Sequence, residues 1–114
     1  MGKIYNLTGH DVNVLGSDDE SIANIVSDGL IRLDIQEVQV ASLGNIPVME
    51  RHPKLSDEAI KVLSELPEGA SVIISAQMVQ HVQSERADLT VYTVGKAVFG
   101  ENHSVKGVKY LVRN

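Results

Sequence analysis

The sequence predicts a single α+β domain over residues 1–114, with a curled, mostly antiparallel sheet of about seven or eight short strands and two short helices. Hydrophobic residues make up 43% of the chain and aromatic residues only 4%, so branched aliphatic side chains, which favour strands, must fill the core. Short alternating apolar segments recur between turns that contain glycine. Only two segments have the apolar spacing of an amphipathic helix.

Two strand regions precede the longest β pattern. Residues 3–15 contain alternating apolar positions, and we expect Gly9 to break or bulge this strand. Residues 21–26 form a second short strand, because a turn-rich segment at 16–20 precedes it and the glycine of segment 27–29 ends it.

The longest β pattern covers residues 30–41. Its apolar residues change phase between Ile35 and Val38. Because side chains alternate strictly between the two faces of a strand, this change predicts a bulge near Gln36–Glu37 and a sheet that curls.

The next segment mixes turns with extended chain. Residues 42–45 have turn composition, and residues 46–49 are expected to form a brief extended segment at a sheet edge because they contain Pro47. Residues 51–54 are expected to be a loop.

Two helices are expected in the second half of the chain. Ser56 is a favourable N-cap, acidic residues follow it, and apolar residues recur at helical spacing over 57–66. Residues 71–75 are predicted to be a buried central strand that leads directly into a second helix over 76–84.

The C-terminal region is predicted to be strand-rich. Residues 88–94 and 96–99 are expected to be strands on either side of Gly95. A hairpin turn at 100–103 then leads to a closing strand over 105–112.

Charge and composition limit the classes of partner. The chain has 15 acidic and 10 basic side chains and a formal net charge of −5, which argues against broad binding of nucleic-acid backbones. A small anionic ligand held by a few local donors remains compatible with this charge. No apolar run approaches the roughly 20 residues that cross a bilayer, so we expect a cytoplasmic protein with no membrane partner.

The opening motif Asn6-Leu7-Thr8-x-His10-x-Val12-Asn13-Val14 resembles that of a family of small, largely uncharacterised proteins from bacteriophages, prophages and actinobacteria. The resemblance continues in order through five further segments: Ile46-Pro47-Val48, Leu66-Pro67-Glu68-Gly69, Ile74-Ser75-Ala76, Arg86-Ala87-Asp88-Leu89 and Gly107-Val108-Lys109-Tyr110-Leu111. The chain departs from the family at Gly9, where the family usually has proline, and in its longer helix at 57–66. The resemblance implies a phage or prophage origin and therefore a host cytoplasm, but no activity.

The first candidate site is the polar group Asn6, Thr8, His10 and Asp11. Amide, hydroxyl and imidazole groups in a strand interruption can converge on a ligand, since each can donate and accept hydrogen bonds. The alternative is that these side chains satisfy the local backbone.

Two further candidates follow the central strand. Ser75 and Gln77 lie where the strand meets the second helix, and the free N–H groups of a helix start can bind an anion; the alternative for Ser75 is a simple N-cap. Arg86 can clamp an anion beside Asp88; the alternative is a surface ion pair that fixes the loop.

No catalytic, metal or cofactor motif is recognisable. The four histidines have no metal-binding spacing, and the chain has no cysteine. It also lacks glycine-rich phosphate-binding motifs of the Gly-x-x-x-x-Gly-Lys and Gly-x-Gly-x-x-Gly types. We therefore expect no metal, no cofactor and no assigned catalytic residue.

Three functions are compatible with the sequence. The favoured hypothesis is a phage-type binding protein that captures a small anionic ligand, such as a nucleotide signal of bacterial immunity, and that acts as a homo-oligomer. The first alternative is a structural or protein-interaction accessory protein of a phage. The second is a small hydrolase with His10 as a base, oriented by Asp11 or Asp88.

Overall fold

The computed structural model describes residues 3–114, and within them it contains eight strands and two α-helices. The strands are β1 (Ile4–Asn6), β2 (Val12–Leu15), β3 (Ser21–Ile25), β4 (Leu33–Leu43), β5 (Ile46–Leu55), β6 (Ser71–Ile73), β7 (Thr90–Phe99) and β8 (Val105–Arg113). The helices are α1 (Asp57–Ser64) and α2 (Val79–Glu85), with short 3₁₀ turns at Ala76–Met78 and Glu101–His103. The predicted α+β class is confirmed.

Six of the strands form one mixed sheet in the order β1-β6-β7-β8-β2-β3. The pairs β1–β6, β6–β7 and β2–β8 are parallel, whereas β7–β8 and β2–β3 are antiparallel. The other two strands, β4 and β5, form a separate antiparallel hairpin. Antiparallel ladders therefore hold most of the paired residues, as predicted.

The six-stranded sheet curls so that its two outer strands approach each other. β1 is the first strand in the order and β3 is the last. Nevertheless, Asn6 in β1 forms a bridge with Ser27, two residues beyond the end of β3, and Thr8 forms a bridge with Leu30. These contacts bring the start of the chain against the segment that leads into β4.

Strand β6 separates two apolar clusters, because successive residues of a strand point to opposite faces. Val72 packs in the cluster that α1 and α2 cover, and Ile73 packs in the cluster on the other face. Both side chains are fully buried. The predicted central strand is therefore buried on both faces, although it ends at Ile73 rather than at residue 75.

Helix α1 begins as the sequence predicts. The Ser56 hydroxyl accepts a hydrogen bond from the Ala59 N–H over 3.1 Å, and acidic residues occupy the first turn. The helix ends at Ser64, two residues before the predicted end, and the chain leaves it through Leu66 and Pro67.

Helix α2 begins differently from the prediction of a continuous helix over 76–84. A 3₁₀ turn at Ala76–Met78 comes first, and α2 follows from Val79 to Glu85. Ser75 occupies the position before the turn with an extended backbone, but its side chain makes no capping hydrogen bond.

The β4–β5 hairpin, residues 33–55, is called the arm below. The bulge expected near Gln36–Glu37 is absent there, because both residues pair with β5 without interruption. The irregularity lies instead between Gln39 and Ala41. Ile35 and Val38 therefore lie on opposite faces of the arm, so the apolar phase change reflects a change of apolar face rather than a bulge at 36–37.

The arm is also longer than predicted. Residues 51–54, expected to be a loop, belong to β5 and pair with the first half of β4. Pro53 fits within β5 because a two-stranded hairpin has open edges, where the missing N–H of proline leaves no partner unsatisfied. The molecule measures 60 × 39 × 20 Å along its principal axes.

Strand β7 runs continuously through Gly95, where two separate strands were predicted. Gly95 pairs with Tyr110 of β8, and a β-carbon at Gly95 would lie 2.1 Å from the Tyr110 ring. The glycine therefore makes room for a cross-strand aromatic side chain instead of ending the strand.

Neither α-helix in residues 3–114 is long and apolar enough to cross a membrane.

Candidate functional site

The polar residues at the start of the chain form a closed hydrogen-bond network. The Asn6 side chain is fully buried, and its Nδ2 donates to the carbonyl oxygens of His10 and Ile25, each over 2.8 Å. Its Oδ1 accepts hydrogen bonds from the Thr8 N–H over 3.1 Å and from the Thr8 hydroxyl over 2.6 Å. Both side chains therefore have internal partners, which favours the structural role over ligand binding.

The backbone of Asn6 is fixed by Asp28. The Asn6 N–H donates to the Asp28 carboxylate over 2.9 Å, and the Asp28 N–H donates to the Asn6 carbonyl oxygen over 2.8 Å. Lys3 forms an ion pair with the same carboxylate at 2.7 Å. These two donors, Lys3 first, hold the pKa of Asp28 below its usual value.

His10, in contrast, is exposed and has a free ring nitrogen. Its Nδ1 lies 3.2 Å from the Asp11 carbonyl oxygen, and no hydrogen bond to its Nε2 is present among the described residues. Gly9 before it has a φ of +87°, which proline cannot adopt. Gly9 therefore sets a backbone turn that positions His10.

His10 borders a cavity of about 540 Å³, called the His10 cleft below. The cleft lies between β2, β7 and β8, and most of its wall is apolar. The lining residues are His10, Asp11, Val12, Asn13, Val94, Ala97, Val105, Lys106, Gly107 and Val108. Its volume falls within the range of about 300–1,000 Å³ that is usual for small-molecule sites.

Two groups on the cleft remain available for a ligand. Lys106 is exposed, and its ammonium makes no ion pair or hydrogen bond within the described part of the chain. The second group is His10. The other polar side chains are engaged, since Asp11 accepts from the Ser27 N–H over 2.9 Å and Asn13 accepts from the Ser21 hydroxyl over 2.6 Å.

Lys106 was not identified from the sequence. It lies in β8, far along the chain from His10, and the pairing of β2 with β8 brings the two strands together. The only local signal was the neighbouring Gly107, where a β-carbon would lie 2.6 Å from the Asn13 carbonyl oxygen. A glycine in a strand marks such a close approach but does not identify the partner strand.

Ser75 and Gln77 lie in a different cavity, of about 340 Å³, at the base of the arm. Both are exposed, and Arg32 lines the same cavity. The guanidinium of Arg32 has no hydrogen-bond or ion-pair partner among residues 3–114. Since Leu30 lines this cavity and forms a bridge with Thr8, the opening motif and the β6–α2 junction lie near each other but do not share one pocket.

Arg86 and Asp88 form a bidentate ion pair with each other, which was the alternative to an anion clamp. Arg86 Nε and Nη2 lie 2.9 Å from the two Asp88 carboxylate oxygens, and Asp88 also accepts from the Gly69 N–H over 2.8 Å. Arg86 Nη1 donates to the carbonyl oxygens of Leu63 and Leu66, so the pair ties the end of α1 to the loop after α2. Arg86, and then the Gly69 N–H, hold the pKa of Asp88 far below its usual value.

The contacts that a His10-dependent hydrolase requires are not formed. His10 contacts the backbone oxygen of Asp11 rather than its carboxylate, and Asp88 is bound by Arg86. In the part of the chain that the structure describes, no three His, Asp or Glu side chains are grouped to hold a metal ion.

Comparisons with protein-family models, curated proteins and solved structures find no match for this chain.

Proposed function

We propose that this protein is a small phage-type binding protein that captures a small anionic ligand in the His10 cleft, such as a nucleotide signal of bacterial immunity. The observation that carries the proposal is the combination of an apolar wall with the unpaired ammonium of Lys106 and the free Nε2 of His10 at one cavity. A nucleotide has matching parts. Its base can pack on aliphatic side chains, its phosphate can accept from Lys106, and a ribose hydroxyl or base amine can donate to the His10 Nε2, which is an acceptor while the Nδ1–H donates to the Asp11 carbonyl oxygen.

Local donors are essential to this proposal because the chain as a whole repels anions. With a formal net charge of −5, long-range steering favours cations. Within the cleft, a charge-assisted hydrogen bond from Lys106 contributes about 1.5–3 kcal/mol to binding. The His10 ring is oriented by the backbone carbonyl oxygen of Asp11.

Thermal-shift and calorimetric titrations test the proposal directly. Inorganic phosphate, mononucleotides, cyclic dinucleotides and ADP-ribose are the probes, and at least one organic phosphate is expected to raise the melting temperature. Lys106→Gln is expected to weaken its binding about tenfold or more. Lys61→Gln, which removes an exposed lysine on α1 away from the cleft, is the matched control and should bind normally.

A third variant distinguishes the two cavities. Arg32→Gln leaves the His10 cleft intact but removes the cation beside Ser75 and Gln77. Equal binding by the wild type and Arg32→Gln supports the His10 cleft as the site. Loss of binding in Arg32→Gln alone would assign the ligand to the β6–α2 junction, and a lack of binding to every probe would exclude the nucleotide proposal.

The resemblance at the opening motif supports a phage or prophage origin and a host-cytoplasmic location for this binding protein. A homo-oligomer is part of the same proposal. The arm favours a second candidate function, that of a phage accessory protein working through protein contacts, because it exposes large apolar side chains such as Leu43 and Ile46. Oligomerisation and ligand binding, measured separately, distinguish the two functions.

A further inference from the structure

We infer that a second copy of this chain covers the apolar face at the end of the arm, so that two arms pack face to face in a symmetric dimer. The surface is called the arm patch and consists of Val38, Val40, Ala41, Leu43, Ile46 and Val48. This inference specifies the homo-oligomer named in the proposed function, but it does not depend on a ligand in the His10 cleft.

The ladder of the arm places the patch on one face. Cross-strand partners share a face, and the relevant pairs are Val38 with Glu50, Ala41 with Val48 and Leu43 with Ile46. On β5, residues 46, 48 and 50 alternate in steps of two and so point to the same side. Val40 lies at the irregularity beside them. The patch therefore runs without interruption to the tip of the arm.

The large apolar side chains of the patch are mostly exposed to solvent. Leu43 is 69% exposed, Ile46 65% and Val40 49%. Together with Val38 they present on the order of 400 Å² of apolar surface, a size that on a monomer usually marks an interaction site.

The arm also lacks the support that hairpins normally need. Within residues 3–114, β4 and β5 pair only with each other, and neither joins the six-stranded sheet. An isolated two-stranded hairpin is at best marginally stable in water, and packing against a further layer stabilises it. A second arm supplies that layer if the two apolar faces stack about 10 Å apart.

The distribution of charge along the chain favours a second copy as the partner that covers the arm patch. Residues 38–49 contain no charged side chain, whereas the whole chain carries a net charge of −5. The charged residue nearest the patch on its own face is Glu50, which lies opposite Val38 at the end farther from the tip. A basic partner would be steered to the acidic remainder of the protein, whereas an uncharged apolar patch matches another patch of the same kind. Because β4 has 11 residues and is roughly 36 Å long, antiparallel arms keep the two acidic bodies several Debye lengths apart.

The area is sufficient for a reversible dimer. Two patches bury roughly 800 Å² of apolar surface, which is below the approximately 1,200 Å² of stable interfaces and in the range of weak, reversible association. We therefore expect a dimer that dissociates on dilution.

Sedimentation velocity and light scattering over about 1–200 µM test the inference. The wild type should approach a dimer at the upper end, and Ile46→Glu should weaken association at least 100-fold because it buries an unpaired charge. Ile22→Glu is the matched control, since Ile22 lies on β3 with an exposure of 62% against 65% for Ile46. Circular dichroism verifies that both variants are folded.

A charge-swap experiment tests whether the patch meets itself. Val40→Glu and Val40→Lys should each be monomeric, and their mixture should recover a heterodimer, because Val40 lies near the middle of the patch, where the two-fold axis of antiparallel arms brings it close to its own copy. A wild-type monomer at about 200 µM, an Ile46→Glu dimer as tight as the wild type, or a mixture that does not associate would each overturn the inference. A wild-type monomer whose arm binds a different protein would overturn it as well. Since no residue of the arm lines the His10 cleft, normal ligand binding by Ile46→Glu separates this outcome from failure of the proposed function.

Discussion

Asn6 Nδ2 donates a hydrogen bond of 2.8 Å to the Ile25 carbonyl oxygen, and this bond links the first and last strands of the six-stranded sheet. The same amide donates to the His10 carbonyl oxygen and accepts from Thr8. One buried side chain therefore supplements the backbone bridges where the two sheet edges meet. The opening motif thus has a clear structural purpose, and within it His10 remains free for a ligand.

Replacement of Asn6 by alanine should be strongly destabilising. The change leaves the carbonyl oxygens of His10 and Ile25 without their donor, and we expect a loss of about 2–3 kcal/mol in the free energy of unfolding. Urea denaturation measures this loss. Asn24→Ala, at an exposed position of β3, should change stability by less than about 0.5 kcal/mol. Equal effects of the two variants would contradict the linking role of Asn6.

The two serines that precede helical segments should differ in importance. Ser56 is buried and caps α1 through its hydroxyl, so Ser56→Ala should cost about 1–2 kcal/mol. Ser75 is exposed and makes no capping bond, so Ser75→Ala should cost less than about 0.5 kcal/mol, below the approximately 1 kcal/mol of a working N-cap. Guanidinium denaturation of both variants tests the difference. A cost of Ser75→Ala that equals that of Ser56→Ala would show that Ser75 caps in solution.

Local patterns predicted the elements whose signals lie within a few residues. Ser56 and the acidic residues after it indicated α1, and the glycine at 44 indicated the arm's turn, where its φ is +61°. The same local reasoning failed for the arm itself. The apolar residues change phase between Ile35 and Val38. The same sequence pattern results if a bulge shifts the register or if the apolar residues move from one face of the strand to the other, so the sequence alone does not distinguish the two.

The candidate site shows the same limit. His10 could be selected from the sequence because imidazole chemistry is recognisable without a partner. Lys106 could not, because only the β2–β8 pairing brings its strand next to the opening motif. Arg86 and Asp88 illustrate the converse, since a charged pair two residues apart reads equally well as an anion clamp and as the loop-fixing ion pair that is formed.

Acid should destabilise the protein partly through Asp88. Arg86 and the Gly69 N–H hold the folded-state pKa of Asp88 far below its usual value of 3.8. The unfolded state therefore binds this proton first, and the contribution of Asp88 is complete above the unfolded pKa and is lost as the pH falls below about 5. Urea denaturation at several pH values between about 7 and 2 should show this decline.

Asp88→Asn tests the assignment. It removes the carboxylate that titrates, so stability should be lower at neutral pH and should decline less steeply in acid. Asp18→Asn is the control because Asp18 lies in an exposed turn and forms no ion pair in the described structure. It should keep the wild-type slope. An unchanged slope in Asp88→Asn would mean that other carboxylates, such as Asp28, dominate the acid response.

A β-carbon would collide with a neighbouring atom at both Gly95 and Gly107, but the obstacle is a movable side chain at Gly95 and backbone at Gly107. Alanine substitutions at the two positions should therefore differ in their cost in stability. A β-carbon at Gly107 would lie 2.6 Å from the Asn13 carbonyl oxygen and 2.8 Å from Leu15 Cγ, so backbone of the β2–β8 pair must move. We expect Gly107→Ala to cost about 2 kcal/mol or more. At Gly95 the obstacle is the ring of Tyr110, which is 52% exposed and can rotate outwards. Gly95→Ala should therefore cost less than about 1 kcal/mol.

Thermal denaturation of the two glycine variants measures the difference, and hydrogen exchange locates it. In Gly107→Ala, amides of β2 and β8 should lose protection, because these strands pair in parallel through Val14 and Val108 and the new methyl group separates them. In Gly95→Ala, the exchange of β2 should remain as in the wild type. Equal costs for both substitutions would show that the β2–β8 pair tolerates a wider spacing, and the wall of the His10 cleft that contains Gly107 would then be adaptable rather than rigid.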